Sequence, residues 1–149
     1  MSTSHNSLLA LLHRASQLAT ERFVESLGDS DVTARQVQVL AAIDANEGLS
    51  QTEIGAATSI DRSTLADIVR RLSKRKLIER KRSKDDARAY TVKLTEAGRK
   101  ALADGKPVLE SVENGLLAEL PAKQRGELVA MLGIVVASGN AKSDNKSRT

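Results

Sequence analysis

The stretch "DRSTLADIVRRLSKRKLIERKRSKDDARAYTVKLT", residues 61–95, decides the fold. Asp61 is a residue type that caps helix N-termini. Behind it Leu65, Ile68, Val69 and Leu72 stand at i, i+3, i+4 and i+7, which is one apolar helix face. At about 100° per residue, Ser63, Asp67, Arg70 and Lys74 fall on the opposite side. "LIERKR" (77–82) and "AYTVKL" (89–94) then read as short strands. In the second, Tyr90, Val92 and Leu94 alternate with Thr91 and Lys93. The intervening "SKDDAR" is too polar for a core. A two-faced helix followed by a hairpin is therefore predicted.

The preceding segments supply the rest of the plan. Leu8, Leu11, Leu12, Ala15, Leu18, Ala19 and Phe23 recur at helical spacing, and "GDSD" (28–31) interrupts them. Thr33 and Gln36 form a capping box before a helix that buries Val37, Leu40, Ala41 and Ile43 and stops near Gly48. Ser50 and Glu53 form a second box, with Leu49 and Ile54 as its hydrophobic staple; "ATSI" (57–60) ends that short helix. A short helix, a tight connection and a longer helix with polar side chains outward make a helix-turn-helix. The hairpin adds a wing. The predicted class is mainly α with a small β-hairpin wing: a winged helix-turn-helix flanked by N- and C-terminal helices.

Charge points to a polyanion. Residues 1–61 carry three basic and eight acidic side chains, and residues 62–100 carry fourteen and five. From 101 onward there are six of each, so one segment holds the whole excess behind the net charge of +4. In a helix-turn-helix the second helix enters the DNA major groove, with its first residues near base edges. The loop between the strands can then carry an arginine to the narrow, negative minor groove. Asp85 and Asp86 would be repelled by phosphate. Either Asp86 pairs with Arg88 and fixes its direction, or the aspartates only favour an ordinary turn. Asp67 has two readings as well. It accepts from cytosine N4, or it pairs with Arg70 or Arg71 and touches no base.

Composition excludes other classes. Phe23 and Tyr90 are the only aromatics, which argues against stacking platforms for single strands. Cys is absent, so disulfides, thiolate metal sites and cysteine switches are excluded. No phosphate-loop or HExxH pattern occurs, and His5 and His13 both lie near the start; an enzyme is not expected, nor a cofactor or metal. No apolar run approaches the roughly 20 residues of a membrane span, and no membrane partner is expected. "MSTSHNS" lacks the order of a secretory signal, which predicts a cytoplasmic protein.

"DARAYTVKLT" fits D-x-R-x5-L-T, "DRSTLADIVRRLSKRKLIER" precedes it, and "LTEAG" follows. Together these resemble the MarR family of bacterial winged-helix transcription regulators, over about residues 32–102. The resemblance implies a single domain over 1–149. Within it, 32–96 would be the winged helix-turn-helix, 5–28 and 97–138 dimerisation helices, and 139–149 a flexible tail. It implies a homodimeric repressor on a palindromic operator in double-stranded DNA. By that resemblance Arg88 is the minor-groove arginine of the wing and Asp86 its partner. Arg62, Ser63, Thr64, Asp67, Arg70, Arg71 and Lys74 on the helix, with Arg82, Lys84, Asp86 and Arg88 on the wing, form the expected DNA-binding set. Two positions depart from the pattern. Ala87 stands where many members have Arg, and Lys76 where many have Gly. If residue 76 needs a left-handed backbone, Lys is costlier there than Gly.

The rest of the chain fits assembly. From Thr95 a long helix is expected, kinked at Gly105 and Pro107, with a restart at Pro121. Leu8, Leu11, Leu12, Leu109, Val112, Leu116, Leu117, Leu128, Leu132 and Val135 are the expected dimer contacts; an intramolecular bundle is the alternative. The resemblance also implies a small effector, an anionic aromatic acid or an acyl-CoA-type thioester. His13, Arg14, Gln17 and Gln38 could meet it, or serve as ordinary surface residues. Three readings compete with a ligand-released repressor: an activator, an effector-independent DNA binder, and a winged helix used for protein contact.

Overall fold

A computed structural model describes residues 7–28, 31–46, 48–82 and 90–146. The elements run α1 (Leu8–Leu27), α2 (Ala34–Ala45), α3 (Gln51–Thr58), α4 (Arg62–Lys74), β1 (Ile78–Arg82), β2 (Tyr90–Leu94), α5 (Glu96–Leu116) and α6 (Ala122–Lys146). The predicted fold class is the observed one.

Local chemistry sets the boundaries. The Gln36 amide donates to Thr33 Oγ1 at 3.1 Å, and the Thr33 amide donates to Gln36 Oε1 at 3.2 Å, so the expected capping box is complete. At α3 only half the expected box forms. The Glu53 amide donates to Ser50 Oγ, but the Glu53 carboxylate receives the Ser50 hydroxyl at 3.1 Å. Ile54 is fully buried and Leu49 packs against the same core, as the staple requires. Ser59 ends α3 with a left-handed backbone, φ 56°.

The exit from α4 is a Schellman turn. The Leu77 amide donates to the Leu72 carbonyl and the Lys76 amide to the Ser73 carbonyl, both at 3.0 Å. Lys76 sits in the left-handed region, φ 59°. This is the position where the resemblance placed glycine. Leu72 and Leu77 are both buried, and they supply the apolar contact usual in this motif. Thr95 then ties the turn to α5. Its hydroxyl donates to the Lys76 carbonyl at 2.7 Å and accepts from the Gly98 amide at 3.0 Å.

β1 and β2 pair antiparallel, from Ile78 opposite Leu94 to Arg82 opposite Tyr90. Ile78, Val92 and Leu94 face the core, whereas Tyr90 at the far end is exposed. A third segment joins them: the Val92 amide donates to the Leu49 carbonyl at 3.2 Å. Five-residue strands are thus anchored to the helix-turn-helix. The core gathers Val37, Val39, Leu40, Ile43, Ile54, Leu65, Val69 and Leu72 around α2.

α5 runs uninterrupted through Gly105 and Pro107. Pro107 withdraws one amide, the usual partner of the Ala103 carbonyl, and both residues are exposed. Leu102, Gly105 and Val112 of α5 are buried inside the chain. Val112 lies in the chain's own core, with Leu109 and Leu116 packed against it, because α1 and α2 cover that face of α5. The segment 139–149 was expected as a tail outside the helices, yet α6 stays helical to Lys146. No proline follows Pro121, and Ala and Lys favour helix without any apolar face.

Candidate nucleic-acid interface

α4 is built to present one face. The Thr64 amide donates to Asp61 Oδ2 at 3.1 Å, which caps the helix. Ser63 Oγ donates to the same oxygen at 3.0 Å. The Ser63 hydroxyl proton is therefore already engaged, and its oxygen is left as an acceptor. Hydrogen bonds from Thr64, through side chain and amide, and from Ser63 lower the Asp61 pKa from 3.8 to about 2. The carboxylate stays charged at the helix N-terminus, where the dipole favours it.

Leu65, Ile68, Val69 and Leu72 are buried, and they fix the rotation of α4 about its axis. Arg62, Ser63, Arg70, Arg71 and Lys74 are exposed; Thr64 and Asp67 are half-buried. The two-faced pattern expected from the sequence is present. Asp67 forms the arginine pairs that one of its two readings expects. Its Oδ1 accepts from Arg70 Nη2, and its Oδ2 accepts from Arg71 Nε at 2.9 Å. These bonds, Arg70's foremost, hold the Asp67 carboxyl below the usual range.

Arg82 ends β1, exposed and opposite Tyr90. Lys84, Asp86 and Arg88 lie outside the described residues. Arg75, which no sequence motif singles out, donates from Nη1 to the Asp31 carbonyl at 3.1 Å, across 44 positions. Nothing local signals that bond.

The expected effector residues are not brought into one cavity. Arg14 Nη1 donates to Gln17 Oε1 at 2.9 Å and lies 3.8 Å from Glu21, all along α1. His13 is exposed on the same helix, while Gln38 is half-buried on α2. Gln17 lines a cavity of ≈ 340 Å³ beside Thr20, Glu21, Val24 and Glu25. A cavity of ≈ 350 Å³ opens instead between α2 and α5, lined by Asp44, Arg99, Leu102, Ala103, Lys106 and Pro107. Arg99 and Lys106 were not anticipated. Their spacing of seven on α5 was the available signal.

Among the described residues no cluster of His, Asp and Glu could hold a metal ion, and no helix is long and apolar enough to cross a membrane.

The sequence model of the MarR family matches residues 30–89. The transcriptional repressor NicR of Pseudomonas putida is 30% identical over 128 residues, which is 86% of this chain and 81% of NicR. The chain belongs to the MarR family. It is a transcriptional regulator of that family, not an enzyme. Among solved structures, BpsR of Bordetella bronchiseptica superposes with a TM-score of 0.77 at 29% identity, covering 89% of this chain and 94% of BpsR. DNA binding by BpsR is regulated by 6-hydroxynicotinic acid. A mutant of E. coli MarR complexed with operator DNA superposes with a TM-score of 0.73 at 26% identity, covering 90% and 99% of the two chains. In this MarR-family chain α4 has one face in the core and one held out.

Proposed function

We propose that this MarR-family chain is a homodimeric repressor that reads a palindromic operator through α4 and its wing. The observation that carries the reading is the outward stripe of α4, where Arg62, Ser63, Arg70, Arg71 and Lys74 are exposed above a buried apolar face. Ser63, Thr64 and Arg70 contact base edges; Arg62, Arg71 and Lys74 contact phosphate or base. Arg82, Lys84 and Arg88 extend the contact along the wing, with Arg88 entering the minor groove and Asp86 directing it. The winged helix-turn-helix spans 32–96, and residues 5–28 and 97–138 join the two copies.

Dimerisation is supported by apolar side chains left uncovered within one chain. Leu8, Leu9, Leu11 and Leu12 of α1 and Val129, Met131, Leu132, Ile134, Val135 and Val136 of α6 are exposed. α6 takes no part in the main helix–helix contacts. A twofold dimer places two α4 helices one DNA turn apart, which is why the operator is palindromic.

Release by a small anionic aromatic or acyl-CoA-type ligand completes the reading. BpsR, which is regulated by an aromatic acid, supports it. So does the α2–α5 cavity, which offers Arg99 and Lys106 above an apolar floor. Thermal shift against a panel of aromatic acids and acyl-CoAs tests that part. A chain whose melting and operator affinity no compound alters would instead be an effector-independent binder or an activator.

Titration of a duplex selected by the protein from a randomised library tests DNA binding. Log K should fall with log salt by about 0.9 per phosphate neutralised. A slope near zero, or no preference over a scrambled duplex, rejects the reading.

A further inference from the structure

Asp67 is an odd residue for its place. It occupies the middle of the α4 stripe proposed to face DNA, where a carboxylate repels phosphate. Helix support alone does not require it there. α4 already has Asp61 at its N-terminus and Arg71 and Lys74 in its last turn, each matched to the helix dipole.

The geometry around Asp67 is two-sided. Seen down the helix, Arg70 lies about 60° to one side of it and Arg71 about 40° to the other. Each carboxylate oxygen takes one guanidinium: Oδ1 that of Arg70, Oδ2 that of Arg71. The carboxylate is the least exposed of the three, at 40% against 73% and 66%. It sits beneath the two guanidiniums and anchors both. A guanidinium has five N–H donors, and each arginine has committed one to Asp67. The remaining edge of Arg70 is free to meet guanine O6 and N7, the commonest specific contact in the major groove.

Two physical consequences follow. Anchoring removes rotamer freedom from two long side chains before any DNA arrives, so less is lost on binding. The trio also carries a net charge of +1 in place of the +2 of bare arginines. Non-specific binding is nearly all phosphate electrostatics, so it is weakened in full by that loss. A base contact made by a pre-aimed guanidinium keeps its geometry and is weakened less.

We infer that Asp67 is a positioning residue that sets operator selectivity, holding Arg70 and Arg71 in reading posture while suppressing their attachment to arbitrary phosphate. The inference rests on the proposed reading of DNA by α4.

The test compares wild type with Asp67→Asn and Asp67→Ala on two probes. One is the duplex the wild type selects from a randomised library; the other is a scrambled duplex of the same length and composition. Binding is measured across a salt series. Both variants should bind the scrambled duplex roughly tenfold more tightly, with a salt dependence steeper by about one to two phosphate equivalents. The ratio of selected to scrambled affinity should fall several-fold, with relaxed base preference confined to a few adjacent positions. Adding Asp67→Asn to Arg70→Ala should relax base preference at those positions no further than Arg70→Ala alone does. A ratio and base preference equal to wild type in both variants, with only a lower melting temperature, would make Asp67 a helix-stabilising residue and overturn the inference alone. A wild type with no preference between the two duplexes would overturn the α4 reading, and the inference with it.

Discussion

Gly98 lies so close to Leu77 that a Cβ built on the glycine would overlap the Leu77 carbonyl oxygen. The contact joins the start of α5 to the exit of α4. The obstructing atom is backbone, fixed by its hydrogen bond from the Thr95 amide at 3.1 Å. A second glycine sets the α2–α5 approach. A Cβ on Gly105 would stand 2.5 Å from Val37 Cγ2, and Val37 is fully buried. Gly98→Ala and Gly105→Ala should each destabilise the chain by about 1–3 kcal/mol, as over-packing does, and Gly98→Ala by more than Gly105→Ala. Urea midpoints of the two variants check the order, since a side chain yields more readily than a carbonyl.

Lys76 should be improvable. A left-handed backbone costs a non-glycine residue about 1–2 kcal/mol, while glycine loses roughly 0.4–1 kcal/mol more entropy on folding. Lys76→Gly should therefore raise stability by about 0.5–1 kcal/mol, and Lys76→Val should lower it. Thermal melts would show it; equal melting of Lys76→Gly and Lys76→Val would mean that φ 59° carries no strain.

Acid should loosen the start of α4. The folded Asp61 pKa is depressed from 3.8 to about 2. Its stabilising contribution is thus complete above 3.8 and is lost as pH falls through that window. Asp61→Asn keeps an N-cap acceptor without a titrating group. The variant should show a shallower loss of helicity between pH 3.8 and about 2 than wild type, while the two behave alike near neutrality. Circular dichroism across that range measures the difference, and coincident curves would remove Asp61 from the acid response.

Val135→Asp should separate folding from assembly. Val135 is 57% exposed within one chain, so the substitution leaves the chain's own core intact. In the proposed dimer it buries an unpaired charge, at a cost of about 3–5 kcal/mol of association. Sedimentation should give a folded monomer. An unchanged dimer would move the interface away from this face of α6.

What the sequence made readable was local. The α4 stripe depends only on helical period, and the caps at Thr33, Ser50 and Asp61 depend on residues three apart. The left-handed turn at Lys76 was visible only as a departure from a resemblance. The unread features needed three dimensions. Val39 and Gln36 are buried because α2 is covered from several sides at once, by α3, α4, α5 and β2. An amphipathic reading assumes a single core face. Val112 is buried within the chain by α1 and α2, and an apolar stripe does not say which helix will cover it. Arg75 meets Asp31, and Arg99 meets the α2–α5 cavity, only after the chain has closed on itself.

Tyr90 gives the chain an optical property. With no Trp and one Tyr, near-ultraviolet emission comes almost entirely from one phenol. That phenol is exposed opposite Arg82, on the last strand pair before the wing. A duplex seated between α4 and the wing changes the surroundings of that ring before those of any other chromophore. Unlabelled protein thus carries its own lamp at the edge of the proposed groove. A tryptophan introduced anywhere else would be read against a dark background.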